Sequence, residues 1–321
     1  MSLPASLDGR LRVPLIGAPM FIVSGPELVI AQCKAGIVGS FPALNARPES
    51  VLEDWLQRIT TELAEYAAAH PDIPVAPFAV NQIVHASNDR LQHDVELCVK
   101  YRVPIVITSL RPPADVVRAV HSYGGVVFHD VINLRHTEKA LSQGVDGIIA
   151  VCAGAGGHAG TTSPFALIKE IRRIFDGTLI LSGSMSRGCD LVAARALGAD
   201  LAYFGTRFIA TEEANAPATY KEMIVNSKAS DIVYTPLFTG VHGSYLRGSI
   251  ENAGLDPDNL DQVDAKQMNF GSGGSSRAKA WRDIWGAGQG VGTIDEIASV
   301  HDVVMQIERE YRATLQSLTA A

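Results

Sequence analysis

Short apolar runs alternate with longer amphipathic segments along the first two thirds of the chain. Short runs rich in Val, Ile, Leu and Phe are typical of buried strands, whereas apolar residues three to four positions apart predict helices. The predicted strands are Val13–Ile16, Ile37–Ser40, Val75–Val80, Ile105–Thr108, Gly125–His129, Gly147–Val151, Leu179–Ser182 and Leu201–Phe204. The predicted helices are Pro26–Lys34, Glu49–Ala69, Asn88–Tyr101, Pro113–Ser122, Leu134–Ser142, Pro164–Phe175 and Arg187–Leu197. Glycine stands between several of these helices and the next strand, where it typically caps a helix in the left-handed conformation; these glycines are Gly36, Gly124, Gly144 and Gly198.

Eight predicted strands in strict alternation with helices indicate a parallel sheet with helices outside it. The count of eight favours a closed (β/α)8 TIM barrel. An open, doubly wound sheet is the alternative, because the pattern does not show whether the sheet closes. The length of 321 residues accommodates one such barrel together with a smaller unit.

The alternation stops after Phe208. Residues Thr211–Ala229 are predicted to be helical, 231–269 to form loops and short strands, and 270–276 to be a Gly/Ser connection. A final helix is predicted from Ile294 to Ser317, with Thr293 and Glu296 spaced as a capping box. We therefore expect a barrel formed by residues 1–211 and 278–321, and a smaller lid or substrate domain formed by residues 212–277.

The composition limits the class of partner. A net charge of −7 argues against a nucleic acid or an anionic membrane, because both attract a basic surface. The four cysteines show no CxxC or Cys/His spacing, so we expect neither a disulfide framework nor a zinc site. The first ten residues lack the pattern of a signal peptide, and the expected location is the cytoplasm.

Small and polar residues follow the predicted strands, and in a barrel of this type the active site lies at the carboxyl ends of the strands. Ser182-Gly183-Ser184 follows the seventh strand and Gly205-Thr206 ends the eighth. In such barrels these two turns commonly bind a phosphate through backbone N–H groups and a helix N-terminus. Tight turns without a ligand are the alternative for either turn alone.

The stretch from Val151 to Gly160, at the end of the sixth strand, contains four glycines and one histidine, His158. Glycines permit close approach of a flat ligand to the backbone, although a flexible loop with an incidental histidine is the other interpretation. The sequence contains no GxGxxG after the first strand, no GxxxxGK[ST], no GxSxG and no HExxH. The residues therefore favour a flat, phosphate-bearing cofactor such as a mononucleotide flavin, and no metal.

The chain resembles the nitronate monooxygenase family, whose flavoprotein relatives include quinone reductases and enoyl-thioester reductases. The segments that carry this resemblance stand in the same order along most of the chain: Pro14-Leu-Ile-Gly-Ala-Pro-Met20, Asn81, Ala155-Gly-Gly-His-Ala-Gly160, Leu181-Ser-Gly-Ser184, Gly198-Ala-Asp200, Gly205-Thr-Arg-Phe208 and Gly286-Ala-Gly-Gln-Gly290.

The resemblance implies FMN as the cofactor and His158 as the catalytic base. It places the FMN phosphate at Gly183, Gly205 and Thr206. The full set of implied FMN-binding residues is Ala18, Pro19, Met20, Asn81, His129, Val151, Gly156, Gly157, Ser182, Gly183, Ser184, Tyr203, Phe204, Gly205, Thr206 and Gln289. The chain departs from the family at His129, where many members have lysine, and at Gly154, where many have an acidic residue.

The implied reaction is oxidation of an alkyl nitronate, or of a nitroalkane, by flavin and O₂ to a carbonyl compound and nitrite. Histidine suits this reaction because its pKa lies near working pH, so that it can take an α-proton or hold an anion. A reductase that uses NAD(P)H with a quinone or an enoyl thioester is the alternative, and a non-catalytic flavin-binding protein is a third. A homodimer is one assembly compatible with the sequence.

Other residues have two interpretations each. His129 and Asp130 are expected either to contact the cofactor or to form a buried pair, and His242 and Tyr245 either to reach the pocket or to be solvated. Arg207 is expected to anchor the Glu212-Glu213 turn or the barrel rim instead of binding substrate. Trp281 and Trp285 are expected to pack between the barrel and the smaller unit, and Cys152 borders the glycine-rich loop.

Overall fold

The computed structural model describes residues 3–4, 6–111, 113–260 and 284–320. Eight parallel strands follow the order β1-β9-β8-β6-β5-β4-β3-β2. These strands are β1 Leu15–Gly17, β2 Gly39–Pro42, β3 Phe78–Val84, β4 Ile105–Leu110, β5 Val126–Val131, β6 Gly147–Val151, β8 Thr178–Ser182 and β9 Leu201–Phe204. A parallel bridge between Ile16 and Val38 joins the two ends of the sheet. The prediction of a (β/α)8 TIM barrel is therefore confirmed, and the open sheet is wrong.

Helices surround the barrel in the predicted alternation. They are α1 Pro26–Lys34, α2 Val51–Ala69, α3 Leu91–Lys100, α4 Ala114–His121, α5 Leu134–Leu141, α6 Pro164–Arg172 and α7 Gly188–Leu197. The four glycines predicted to end helices all have positive φ, between 83° and 112°. The Ser163 side chain caps α6 by accepting a hydrogen bond from the Phe165 amide.

Side chains alternate between two hydrophobic layers because successive strand residues point to opposite faces. The layer between sheet and helices contains Val80, Val106 and Leu181. The barrel interior contains Ala79, Ile107, Phe128, Ile149, Val151, Ile180, Leu201 and Tyr203. The same alternation places Asn81, Ser109, Asp130 and Ser182 on the interior side at the carboxyl ends of the strands. The barrel interior is therefore apolar, whereas the floor of the barrel mouth, at the carboxyl ends of the strands, is polar.

A second, antiparallel sheet lies over this mouth and joins the glycine-rich loop to the region after the barrel. Its strands are β7 Gly157–His158, β10 Ile232–Thr235 and β11 Gly243–Leu246, in the order β10-β11-β7. Gly243 pairs with His158, and Ser244 pairs with Gly157. Between β9 and residue 260 the described chain forms the helices α8 Thr206–Ile209, α9 Ala218–Asn226 and α10 Arg247–Asn252. The boundaries of the smaller domain stay a prediction.

Two predicted helix starts are wrong. The helix expected over Thr211–Ala229 is α9, which begins only at Ala218, because Pro217 restrains the preceding residue from helical geometry. The last helix, α11 Val300–Thr319, begins after Ser299, whose side chain accepts from the Asp302 amide. Thr293 does not cap it: its hydroxyl lies 2.6 Å from that of Ser186, and residues 289–293 form a 3-10 helix.

The C-terminal helix closes against the barrel. The Glu213 carboxylate accepts hydrogen bonds from the Val300 amide, so this glutamate caps α11 instead of beginning a helix of its own. The predicted Gly/Ser connection and Trp281 lie outside the described residues. No helix within the described ranges is both long and apolar enough to span a membrane.

Candidate active site

A hydrogen-bonded chain of three polar side chains lies on the floor of the barrel mouth. The Ser109 hydroxyl donates to Asp130 Oδ2 at 2.6 Å, and the Asn81 amide donates to the Ser109 hydroxyl at 2.9 Å. Asn81 also donates to the Ile107 carbonyl. Adjacent strands β3, β4 and β5 each supply one of the three residues. Asn81 is thereby held with its amide group fixed by two acceptors.

Two buried oxygens on this floor have no hydrogen-bond partner among the residues that the structure describes, Asp130 Oδ1 and the Tyr203 hydroxyl. Burial raises the pKa of Asp130 to about 6, and the hydrogen bond from Ser109 opposes this rise. Burial also raises the pKa of Tyr203, and the nearby Asp130 acts in the same direction. Buried polar atoms normally have partners, so these two oxygens indicate a ligand contact or bound water at the mouth.

The side chain of His129 does not lie on this floor. His129 precedes Asp130 in β5, so its side chain points to the opposite face of the sheet. It is buried in the layer between sheet and helices, and its ring lies 2.8 Å from the Thr108 hydroxyl. Burial lowers the pKa of His129 to about 4, with a smaller contribution from His136 on α5. The His129 side chain therefore points away from the floor, where β5 places Asp130 instead, and its assignment to the cofactor-binding set stays a prediction. The Phe204 side chain also packs in the outer layer, which leaves only its backbone near the mouth.

The glycine-rich loop presents His158 at the edge of the mouth through strand β7. His158 Nε2 lies 3.0 Å from the Thr239 hydroxyl, which belongs to the turn before β11. Although the residue is exposed, neighbouring protein atoms displace enough water to lower the pKa of the imidazole below 6.5. A neutral ring at physiological pH follows, which is the state that can accept a proton.

Close backbone packing ties this loop to the second glycine cluster. The Gly154 carbonyl accepts from the Gln289 amide at 2.8 Å, and a Cβ built at Gly156 would lie 3.0 Å from the Gly288 nitrogen. The Gly288 amide in turn donates to the Thr206 hydroxyl at 2.9 Å. The loop, the second glycine cluster and the end of β9 therefore form one connected wall of the mouth.

Gly154 occupies a position that no larger residue fits. Its φ is 82°, and a Cβ built there would overlap the Ser184 hydroxyl and lie 2.8 Å from Gln289 Oε1. Ser184 is itself in the left-handed region, with φ of 54°. The glycine at position 154 therefore leaves room for Ser184 and Gln289.

A substitution tests this packing. We expect Gly154→Ala to destabilise the protein by about 2 kcal/mol more than Gly124→Ala, because overpacking adds to the cost of a positive φ. Gly124 has nearly the same φ, 84°, but nothing within 4 Å of a built Cβ. Urea unfolding of both variants measures the difference. Adding Ser184→Gly to Gly154→Ala should recover most of the difference in unfolding free energy. Equal losses of stability in Gly154→Ala and Gly124→Ala would show that no clash occurs at Gly154.

The predicted phosphate-binding turns come together at the ends of β8 and β9. Gly183 has φ of 137°, and a Cβ there would lie 2.9 Å from the Ala153 carbonyl oxygen. Gly205 packs beside Ala18 and Met20, whose loop is fixed by the Asn45 amide donating to the Met20 carbonyl. The turns from three strands, with Pro19 between Ala18 and Met20, therefore border one small area of the mouth.

One part of the expected phosphate site is wrong. The amides of Ser186 and Arg187 donate to the Asp190 carboxylate, and the Gly188 amide donates to that of Glu310. The N-terminus of α7 is therefore occupied by the protein's own carboxylates and does not face an anion. The turns at Gly183 and Gly205 and the Thr206 hydroxyl stay the predicted phosphate contacts.

The other candidate residues make contacts within the protein. The buried Arg207 donates to the carbonyls of Ala210 and Glu296, which confirms an anchor at the barrel rim. Trp285 stacks on Tyr220, with ring centroids 4.8 Å apart. Burial raises the pKa of Cys152 to about 12, so its thiol is a poor nucleophile. His242 stacks on Tyr234, whose hydroxyl donates to the Ala159 carbonyl.

Sequence reasoning assigned no specific role to Ser109 or Thr239 and left Asp130 between two interpretations. The sequence did carry a signal for Ser109 and Asp130. Each stands two positions after an apolar strand residue, Ile107 or Phe128, so its side chain points to the same face of the sheet. No local signal identifies Thr239, which reaches His158 through a strand pairing 81 positions away. In the described parts of the chain no group of three or more His, Cys, Asp or Glu side chains is placed to hold a metal ion.

Comparison with known proteins identifies the family. The model of the nitronate monooxygenase family matches residues 9–310. A nitronate monooxygenase of Paraburkholderia phytofirmans is 25% identical, with 95% of this chain and 94% of that protein aligned. A (3aS,4S,5R,7aS)-5-hydroxy-7a-methyl-1-oxo-octahydro-1H-indene-4-carboxyl-CoA dehydrogenase of Rhodococcus jostii is 24% identical, over 75% of this chain but only 64% of its own length.

Solved structures agree with this result. FabK of Thermotoga maritima superposes with a TM-score of 0.77 at 27% identity, covering 98% of this chain and 97% of that one. With a matching family model over nearly its whole length and a barrel of the same architecture, the chain belongs to the nitronate monooxygenase family of oxidoreductases.

Proposed function

We propose that this protein oxidises alkyl nitronates with bound FMN and O₂, giving a carbonyl compound and nitrite, and that it also accepts neutral nitroalkanes. The observation that carries the proposal is the position of His158. A neutral imidazole stands at the edge of a barrel mouth whose floor holds two buried oxygens without protein partners. The small substrate, O₂ and a flavin would meet in this mouth.

The residues at the mouth fit a flavin mononucleotide. Gly183, Gly205 and Thr206 form a wall without bulky side chains, where the phosphate would lie. Met20, Asn81, Gly156, Gly157 and Gln289 would line the rest of the cofactor. The unpartnered oxygens of Asp130 and Tyr203 offer hydrogen-bonding groups from below, which a flat heterocycle with polar edges can use.

The remaining members of the proposed binding set contribute mainly backbone or small side chains: Ala18, Pro19, Val151, Ser182, Ser184 and Phe204. FMN held there would supply the redox chemistry that couples oxidation of the nitronate to reduction of O₂. His158 would remove the α-proton of a neutral nitroalkane, and once protonated it would hold the resulting anion by charge. The wall made by the two glycine clusters would limit the access of water.

A second function is favoured by the relative from Rhodococcus jostii, whose name describes a dehydrogenase of a carboxyl-CoA. The described rim of the mouth carries exposed apolar side chains at Leu110, Ile132 and Phe165, which would suit a larger apolar substrate. On this alternative the protein transfers hydride between NAD(P)H and an acyl thioester or a quinone through the same flavin.

An anaerobic titration separates the two functions. The purified protein should be yellow and release FMN on heating, and ethylnitronate alone should bleach the flavin. Admission of air should then restore the colour and yield nitrite. Bleaching by NADH or NADPH and not by nitronate would establish the reductase instead, and a colourless protein that takes up no FMN would overturn both.

A further inference from the structure

Four residues other than glycine have a positive φ in the described part of the chain, and three of them lie at the barrel mouth. The φ angles are 66° at Ile22, 79° at Leu110, 54° at Ser184 and 48° at Arg102. Ile22 lies in the loop after β1, Leu110 ends β4, and Ser184 follows β8. Arg102 lies at the opposite end of the barrel, between α3 and β4. Backbone strain of this kind is concentrated at ligand-binding sites.

Two of the four residues have a reason for their backbone conformation. Arg102 stands two residues after the end of α3, where a helix commonly places one residue in the left-handed region. Ser184 belongs to the predicted FMN-binding set. Neither reason applies to Ile22 or Leu110, since neither follows a helix. Turns with a positive φ normally take glycine or asparagine, whereas a β-branched or bulky side chain carries the full steric cost.

Burial does not offset this strain. Ile22 is 39% exposed and Leu110 is 54% exposed, so core packing accounts for little of the presence of either side chain. An exposed apolar side chain is stabilised when another apolar group removes it from water. Two apolar side chains on strained backbone at the mouth therefore indicate contact with an apolar part of a molecule that enters it.

Hydrogen bonds from two distant segments hold Ile22 in its strained conformation. Its amide donates to Asn45 Oδ1 at 2.9 Å, and its carbonyl accepts from the Asn215 side chain at 3.0 Å. Asn45 also donates to the Met20 carbonyl at 2.9 Å. Because Met20 packs beside Gly205, these bonds fix the loop that carries Ile22 against the end of β9. The side chain of Ile22 is thus presented on a rigid support.

Leu110 is held by the pairing of β4 with β3. It lies opposite Val84, whose carbonyl accepts a hydrogen bond from the Arg111 amide at 3.1 Å. Around the barrel, β2 and β3 separate β1 from β4. Ile22 and Leu110 therefore lie on different sides of the mouth.

We propose that Ile22 and Leu110 are specificity-determining residues that bind the hydrocarbon chain of the substrate. This rests on the proposed function and names its substrate class, primary nitronates and nitroalkanes with a chain of several carbons. His158 would act at the carbon next to the nitro group, which leaves the far end of the chain to reach the rim. Each methylene buried there raises the affinity by about fourfold.

Two unreactive carboxylates test this chain site without turnover. Propionate and heptanoate resemble ethylnitronate and hexylnitronate in charge and shape, but they carry no nitro group to be oxidised. In calorimetric titrations of the full-length protein as purified, we expect heptanoate to bind about tenfold to a hundredfold more tightly than propionate, because part of the longer chain is buried. Equal affinities for the two carboxylates in the wild type would overturn the proposal.

Two asparagine variants assign the chain site to its residues. Asparagine tolerates a positive φ but is polar, so Ile22→Asn and Leu110→Asn should each reduce the preference for heptanoate by about tenfold. Neither variant should melt below the wild type, because strain is relieved at an exposed position. Arg102→Asn is the matched control at the other end of the barrel, and it should keep the wild-type preference.

A preference for heptanoate that survives in both asparagine variants would overturn the proposal. A large fall in the melting temperature of Ile22→Asn or Leu110→Asn would show that the residue serves packing, and it would remove that residue from the chain site.

Turnover separates this proposal from the proposed function. A kcat/KM higher for hexylnitronate than for ethylnitronate, with a smaller ratio in both asparagine variants, would support both. If neither nitronate is oxidised while the heptanoate preference depends on Ile22 and Leu110, the proposed reaction fails and the chain site stands. If both nitronates are oxidised equally well by the wild type and the variants, the reaction stands and the chain site fails.

Discussion

Replacement of His158 by asparagine is expected to lower kcat/KM for neutral nitroethane by about 10²- to 10⁴-fold, the range typical of a lost general base. Asparagine can still donate a hydrogen bond to Thr239, so the turn before β11 should keep its place. The proposed FMN contacts at Gly183, Gly205 and Thr206 are independent of this ring. The variant should therefore bind FMN as the wild type does, which flavin absorbance after gel filtration measures.

The pH profile gives the same base a second signature. Since the surroundings lower the pKa of His158 below 6.5, the neutral, active form prevails above that lowered value. For neutral nitroethane, kcat/KM in the wild type should rise with pH to a midpoint below 6.5 and then level off, and this ionisation should vanish in His158→Asn. His242→Asn is the matched comparison on the neighbouring turn. A loss of activity that follows His242 instead of His158 would move the base to the other histidine.

The barrel was predictable because its evidence is repeated along the chain. The strands are mostly apolar on both faces, and the bounds of β6 and β9 agree with the prediction to the residue. The predicted end of β5 does not agree with the structure, because the strand continues to Val131, two residues beyond the predicted end. These two residues, Asp130 and Val131, extend the pairing with β6, and this pairing sets the face of the sheet to which the Asp130 side chain points. The Asp130 side chain therefore enters the mouth. A sequence pattern locates a strand but does not fix where its pairing ends.

The candidate site shows the same limit at longer range. Glycines and His158 were found because they are consecutive, whereas Thr239 was missed because only the β7–β11 pairing brings it near. The capping-box pattern at Thr293 failed for a related reason: the Thr293 hydroxyl makes a tertiary hydrogen bond with the Ser186 hydroxyl instead. Likewise, the glycines before α7 suggested an open helix N-terminus, but Glu310 approaches from a helix more than a hundred residues away. Local motifs are therefore reliable only where no distant group competes for their atoms.

Asp130→Asn is expected to stabilise the ligand-free protein at pH 8. Burial raises the pKa of Asp130 from 3.8 to about 6, so the folded protein holds this proton more tightly than the unfolded chain does. The carboxyl therefore costs nothing below about pH 4; the cost grows as pH rises from about 4 to 6, and is complete above that. At 1.36 kcal/mol per unit, a shift of about two units sets an upper limit of about 3 kcal/mol for the gain. Urea unfolding of wild type and variant at pH 4 and pH 8 measures it.

The sign of this effect separates a functional carboxyl from a structural one. Asparagine can still accept from Ser109 through its carbonyl, while its amide is uncharged, so the gain should appear at pH 8 and vanish at pH 4. Ser109→Ala is the opposite control: it removes the hydrogen bond that lowers the pKa of Asp130, and it should destabilise the protein at pH 8.

A carboxyl group that lowers the stability of the ligand-free protein is expected to be retained because it binds a ligand. FMN should then raise the melting temperature of Asp130→Asn by less than that of the wild type. A loss of stability at pH 8 in Asp130→Asn would instead show that the ionised carboxylate has a stabilising partner.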